Sequence, residues 1–340
     1  MKRITITDVA KRAGVSKSTV SHVLNQTRFV EEETRRKVST TIEELGYRPS
    51  NIARSLVSKR TKTAGLLISD VGNPFYPDVI RGVEEVALSH GYSIFLCNTN
   101  YDLVRSMEFI RSLIEKSVDG ILFMSSSMSM EMVEEAIQNQ IQAVVLDWGV
   151  SQVEDLTGTI RINFTEGIRQ AIQHLVELGH TQIAHVSGPL DLWTAQARRD
   201  TFLVSLRENG VNPDQALIIE GNLRIEGGRR AFEQLIHASP RPTAVFAAND
   251  LTALGIVWAA RNYGLNLPEQ LSIIGLDNIE LASEVNPTLT TVALPRNEMG
   301  KLAMKLLLDL IENPEVVDGH KLEVATQLII RQSTAHPMPA

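Results

Sequence analysis

The chain has 340 residues, 43% hydrophobic and 21% charged, which is enough for two or three globular units that each build a core. One cysteine, Cys97, excludes an internal disulfide framework and fits a reducing cytoplasm; the opening MKRITITDVA lacks the apolar core of a signal peptide, and no apolar run reaches the ~20 residues of a membrane helix. The net charge of −7 conceals an asymmetry, because residues 1–60 hold 13 Lys and Arg against 6 Asp and Glu while the remainder is strongly acidic. Such a basic head on an acidic body reads either as a head that meets a polyanion or as a merely solvated basic face.

The head begins with DVAKRAGVSKSTVSHVLN, residues 8–25, whose Val9, Ala10, Ala13, Val15, Val20, Val23 and Leu24 are spaced to bury one side of two short helices. Thr5-x-x-Asp8 is a capping-box start, Gly14 ends the first helix, and Ser16 is a good N-cap for a second that runs to about Asn25. A third helix starts near Glu31–Glu33 and closes at Gly46, with Pro49 beyond. Two helices joined by a tight Gly-containing turn, the second rich in small donors, form a helix-turn-helix pattern. Lys17, Ser18 and His22 share a face, from which Lys17 or His22 can donate to guanine N7 and O6. Ser16, Ser21 and Asn25 are placed for phosphates, and Thr19 and Arg28 extend the donor set. The competing reading is an ordinary three-helix unit whose Ser and Thr only cap helices. Residues 50–60, SNIARSLVSKR, form a basic stretch too short to be a stable helix alone.

From Thr63 short β-rich runs (GLLISD, SIFLCNT, GILFMSS, QAVVLD) alternate with helical segments at about 77–90, 103–116 and 129–140. A second series follows, with TIRIN, QIAHVSG, ALIIEG, TAVFAAN and LSIIGLD. The alternation predicts doubly wound parallel sheets, and its length predicts two α/β lobes. In such sheets ligands bind outside the carboxyl ends of the strands. Those ends carry Asp70 with Asn73 and Phe75, Asn98, Asp147-Trp148, Asn249-Asp250 and Asp277-Asn278. Carboxylates, amides and rings together suit a hydroxyl-rich ligand. The alternative is helix capping, which is the preferred role for Asp250 and Asn98. No metal-ligand spacing, nucleophile elbow, P-loop or dinucleotide fingerprint occurs, so neither an enzyme nor a cofactor is expected.

DVAKRAGVSKSTVSHVLN, with ETRRKV, LGYRPS and ARSL after it, resembles the N-terminal signature of the LacI/GalR (lac-repressor) family of transcription regulators. NPFY, LDWG, GPL, RPTAVFAAND, GLDN and NPTLTTV extend the resemblance over essentially the whole chain, which looks most like purine- and ribose-responsive members. The resemblance implies a DNA-binding domain at 1–49, a hinge helix at 50–61 and an effector-binding and dimerisation body at 62–340. It implies one periplasmic-binding-protein-like lobe of about 62–162 plus 291–321 and another of about 163–290 plus 322–340. Lys17, Ser18 and His22 would read bases. In the hinge, Leu56 would wedge a central base step of the minor groove beside Ala53, with Asn51 and Arg54 nearby; Val57 departs from the Lys found in purine-responsive members. Asn73, Phe75, Asp147, Trp148, Thr194, Arg198, Asn249 and Asp277 would surround the effector.

Leu223 stands where relatives have an aromatic, Leu294 where many have Gln, and Leu192 where purine-responsive members have Arg. Trp148 and Trp193 are the candidates to supply stacking instead, against the alternative that they pack lobe edges. The expected function is a homodimeric repressor of sugar-use genes, released from a palindromic operator by a small ribose-like sugar held between the lobes. A regulator that needs a purine or a phosphoprotein corepressor is the alternative. Helices near 77–90 and 296–312 are candidates for the dimer surface and for lobe hinging.

Overall fold

The computed structural model describes residues 4–25, 28–47, 60–125, 128–146, 157–313 and 321–338. It divides into two compact units, Met1–Thr61 and Lys62–Ala340. The hinge positions Asn51, Ala53, Arg54, Leu56 and Val57 lie outside the described residues, as do Asp147 and Trp148.

The first unit contains α1 (Ile6–Ala13), α2 (Lys17–Asn25) and α3 (Glu32–Leu45). Asp8 Oδ2 closes the start of α1 by accepting from Thr5 N–H at 2.9 Å and Thr5 Oγ1 at 2.7 Å. Gly14 and Gly46, at φ 66° and 59°, end α1 and α3 in the left-handed region that favours glycine. Val9, Ala10, Ala13, Val20 and Val38 form the buried centre, ringed by Val15, Val23, Leu24, Ile42 and Tyr47. The seven apolar positions read from 8–25 therefore all face this small core.

The second unit is built on two six-stranded sheets. The first contains β1 (Thr63–Ile68), β2 (Ser93–Asn98), β3 (Gly120–Met124), β4 (Gln142–Leu146), β5 (Gly158–Asn163) and β11 (Lys321–Ala325), in the order β11-β5-β4-β3-β1-β2. The second contains β6 (Ile183–Ser187), β7 (Ile218–Glu220), β8 (Ala244–Ala247), β9 (Ser272–Asp277), β10 (Thr290–Ala293) and β12 (Gln327–Ile329), in the order β12-β10-β9-β8-β6-β7. Paired strands run parallel except for β12, which is antiparallel to β10. Alternation along β1 sends Leu66 and Ile68 into one core and Leu67 into another, as sheets covered by helices on both faces require. The helices of lobe 1 are α4 (Phe75–Ser89), α5 (Leu103–Glu115), α6 (Met130–Gln138) and α12 (Arg296–Glu312). Lobe 2 has α7 (Phe164–Glu177), α8 (Trp193–Glu208), α9 (Ile225–His237), α10 (Asp250–Tyr263) and the short α11 (Leu281–Glu284).

The chain passes between lobes three times, and the pairing corrects two of the expected positions. The first crossing follows β5, which pairs with β4 and β11 of lobe 1. The second lies at Leu294–Pro295 rather than near 290, because β10 pairs with β9 of lobe 2. The third lies at Thr326 rather than near 321, because β11 pairs with β5 of lobe 1 and β12 with β10 of lobe 2. Thr326 Oγ1 donates to Asn163 O at 2.7 Å, so the first and third crossings are tied together. The expectation that α12 offers a dimer surface also changes. Its Met299, Ala303, Met304, Leu306, Leu307, Leu308, Leu310 and Ile311 are buried, and its exposed positions include Glu298, Lys305, Asp309 and Glu312. The helix is an internal wall of lobe 1.

Candidate functional site

In the head, the turn and the start of α2 set the donors. Ser16 Oγ accepts from Thr19 N–H at 3.0 Å and lies 2.7 Å from Ser18 Oγ and 2.8 Å from Thr19 Oγ1. Ser16 is thus a true N-cap, and its hydroxyl serves the helix as well as any phosphate. Lys17 and Ser18 are exposed, Thr19, Ser21 and His22 are half-buried, and Arg28 is exposed beside Phe29, which is 90% exposed. Asn25 closes α2, and its side chain lies outside the described residues. The second helix therefore presents a short, polar, cationic leading edge of the kind that fits a major groove.

In the body, the carboxyl ends of both sheets meet at a cleft. Lobe 1 lines it with Asn73, Phe75, Tyr76, Tyr101, Met124, Ser125, Leu146 and Ile162; lobe 2 and the crossing supply Thr194, Arg198, Leu223, Asn249, Asp277 and Leu294. All six of the expected effector residues that are described come together here. The enclosed space is about 60 Å³, a handful of waters at roughly 10–15 Å³ each.

Local structure explains the position of each group. Asn73 Oδ1 accepts from Phe75 N–H at 3.0 Å and starts α4, which sets Phe75 edge-on to Tyr76 with ring centroids 5.2 Å apart. Tyr76 Oη donates to Met124 O at 3.4 Å. The Arg198 guanidinium lies 4.4 Å from the centre of the Phe164 ring and donates from Nη1 to Ala248 O at 3.0 Å, which fixes a cation at the cavity wall. Thr194 and Asn249 stand at the N-terminal ends of α8 and α10, so two helix dipoles point their positive ends at the cleft. Asn249 has structural duties as well: Oδ1 accepts from Thr252 N–H and Nδ2 donates to Leu223 O, both at 2.9 Å. Asp277 is 5% exposed, with φ 117° at the end of β9.

Asn98 and Asp250 do not cap the helices that follow them, the role expected from the sequence; each instead holds a neighbouring segment in place. Asn98 Oδ1 accepts from Val71 N–H at 2.9 Å and shapes the turn before α4. Asp250 is fully buried; Oδ2 accepts from Ile279 N–H at 2.8 Å and Oδ1 lies 2.6 Å from Thr291 Oγ1, so it pins the segment that carries Asp277. Burial pushes its carboxyl up to about 7, against those two hydrogen bonds. Trp193 does not supply stacking: it is 40% exposed and outside the cavity lining. Sequence reasoning missed Tyr101, which lies just past β2, where the strand-end rule that picked Asn98 also points. Leu192 packs behind the lining with Leu223 and Tyr101. Among the described residues no group of three His, Cys, Asp or Glu is placed to hold a metal, and no helix is long and apolar enough to cross a membrane.

Comparison with known proteins agrees with both units. Residues 5–50 match the domain of bacterial regulatory proteins of the lacI family, and residues 172–334 match a periplasmic binding protein-like domain. The chain is 39% identical over 332 residues to the HTH-type transcriptional repressor PurR of Edwardsiella ictaluri, covering 97% of each protein. The lac repressor dimer bound to operator and the anti-inducer ONPF matches 98% of this chain and 100% of its own, with TM-score 0.86 and 28% identity. A LacI family regulator from Enterococcus faecium with bound ribose matches 81% of this chain and 99% of its own, with TM-score 0.74 and 31% identity. A likeness that runs from the helix-turn-helix through both lobes leaves one assignment: the chain belongs to the LacI family of DNA-binding transcriptional repressors.

Proposed function

We propose that the protein is a homodimeric repressor of sugar-use genes that leaves a palindromic operator when a small ribose-like sugar binds between its lobes. The observation that carries this reading is the lining of the cleft. Asn73, Thr194, Arg198, Asn249 and Asp277 offer donors and acceptors from both lobes, and Phe75 and the tyrosines offer ring faces. Hydroxyl groups need the first set and the apolar faces of a sugar need the second. The relative with bound ribose supports the same class. Leu192, an aliphatic residue 8% exposed, supplies no donor for a purine base.

A dimer follows from the reader. One α2 covers a half-site, so two heads cover a palindrome. Support comes from edge strand β2, where Phe95 and Leu96 are 39% and 45% exposed, flanked by Leu88 at 79% and Val104 at 71%. An unpaired apolar edge of this kind is stabilised by a second copy. On this reading Leu56 inserts at the operator centre.

A second reading, purine as corepressor, is favoured by the 39% identity to a PurR repressor. The deciding experiment titrates the protein onto a labelled palindromic operator at fixed salt, with D-ribose or with hypoxanthine, because phosphate contacts make affinity steeply salt-dependent. Release by D-ribose establishes the first reading; tightening by hypoxanthine establishes the second.

A further inference from the structure

Two turns at the mouth of the cleft carry Tyr101 and Leu223 of the lining, and beside them Asn100 and Arg224, which lie outside it. In lobe 1, Asn100 and Tyr101 follow β2 with left-handed φ of 54° and 61°; in lobe 2, Leu223 follows β7 with φ 59° and Arg224 comes next. Residues other than glycine keep such a backbone only where their surroundings hold it. Here the holding groups are visible. Leu223 O accepts from Asn249 Nδ2, Arg224 N–H donates to Asn222 Oδ1 at 3.1 Å, and Gly188 clears the space beside Leu223, whose Cδ2 a Cβ there would meet at 2.8 Å.

The turns interlock in both directions. Arg224 Nη2 leaves lobe 2 and donates to Asp70 Oδ2 at 2.8 Å and Asn100 Oδ1 at 3.0 Å in lobe 1. Tyr101 leaves lobe 1 and packs into a cluster of Leu192, Ala195, Leu223 and Ala248 in lobe 2, while also lining the cavity. The interlock uses only the chain's own side chains.

We propose that Tyr101 is a specificity-determining wall of the cavity, and that Arg224 is the positioning residue that keeps it there by tying the two turns across the cleft. This rests on reading the cleft as the effector site. Such a wall selects a ligand that lays one apolar ring face on the phenol and leaves its polar groups to Asn73, Arg198 and Asp277. Burial, with Tyr76, Asp70 and Asp277 nearby, holds the phenol pKa above the usual tyrosine range, so the wall is neutral.

The test uses the full chain with spin labels at Glu108→Cys on α5 and Glu233→Cys on α9, both exposed positions. Cys97 is 5% exposed and its thiol is pushed up to about 11, so it takes no label. Without ligand, the parent shows a dominant short distance. Arg224→Ala lowers the ratio of closed to open forms about five-fold, the change expected of one half-exposed charge-assisted pair, and Arg224→Lys restores part of it. By calorimetry with D-ribose, Arg224→Ala weakens binding by less than about five-fold, because the closed form already dominates in the parent, Tyr101→Ala by about ten-fold or more, and Tyr101→Phe by little. A distance distribution for Arg224→Ala that superimposes on the parent overturns the proposal, as does parental D-ribose affinity in Tyr101→Ala. If the parent takes up no D-ribose, the ribose reading falls, and the clasp stands or falls on the distance measurement, which contains no ligand.

Discussion

Replacing Asp250 by Asn separates a buried carboxyl from its charge. The side chain is fully buried at the start of α10, and Gly275 makes room for it, since a Cβ there would lie 2.1 Å from Oδ1. Burial raises the group from 3.8 to about 7. Between those values the unfolded chain releases a proton that the native chain retains. Native stability therefore falls as pH rises through this window and levels off above it. Three units correspond to about 4 kcal/mol in total. Asn keeps the shape without the titration: its Oδ1 accepts from Ile279 N–H and its amide donates to the Thr291 hydroxyl. The stability of Asp250→Asn relative to the parent should rise by about 4 kcal/mol from about pH 4 to about pH 7. Guanidinium unfolding followed by tryptophan fluorescence reads the body alone, because Trp148, Trp193 and Trp258 all lie there. His185, fully buried and lowered to about 4, acts in the opposite sense: its contribution is present above 6.5 and is lost as pH falls toward 4, and it cancels in the difference. A constant deficit for Asp250→Asn at every pH would refute the reasoning, since it would mean an ionised carboxylate stabilised by both hydrogen bonds.

Gly300→Ala should unfold the body about 6–10 °C earlier, a loss of about 3 kcal/mol. Its Cβ would lie 2.1 Å from Val79 O, and Gly82 faces Asn297 O equally closely, so α4 and α12 meet backbone to backbone; a shift under about 2 °C would show that the helices slide apart freely. Ser16→Ala should cost the head about 1 kcal/mol and weaken binding to every operator variant alike, whereas His22→Ala should change preference at one base position; a panel of operator variants at fixed salt tells the two patterns apart. Arg198→Ala should abolish the effector response and leave operator affinity intact, and a normal response in operator titrations would remove Arg198 from the site.

The head was readable because its signals are local. Thr5 with Asp8, Gly14, Ser16 and Gly46 each act within a turn or two of their own position, and a three-helix unit has little else to decide. Strands β1 to β9 are readable for the same reason, as short apolar runs between helices, whereas β10, β11 and β12 do not stand out in the sequence. The second and third lobe crossings lie a few residues from their expected positions because β10, β11 and β12 are brief, and only pairing shows which sheet each one joins. Asn249 illustrates a different limit. Its type and strand-end position suit a ligand, yet its amide also anchors Leu223 and caps α10, a use set by the fold around it.

Leu192 and Leu223 each put an aliphatic chain where the family resemblance leads one to expect a polar or aromatic group. In the structure both pack against Tyr101, so the ring absent at 223 is supplied from the opposite lobe. Three residues from distant segments then act as one apolar wall, and their substitution energies should not add. For Tyr101→Ala and Leu223→Ala the double-mutant cycle should give a coupling of about 1 kcal/mol in unfolding free energy. Trp193→Ala should add to either, because Trp193 is 40% exposed and belongs to neither the cluster nor the cavity lining. Simple additivity of the Tyr101 and Leu223 substitutions would mean that the contact across the cleft carries no energy. The aromatic would then be present in the cleft without replacing the missing one.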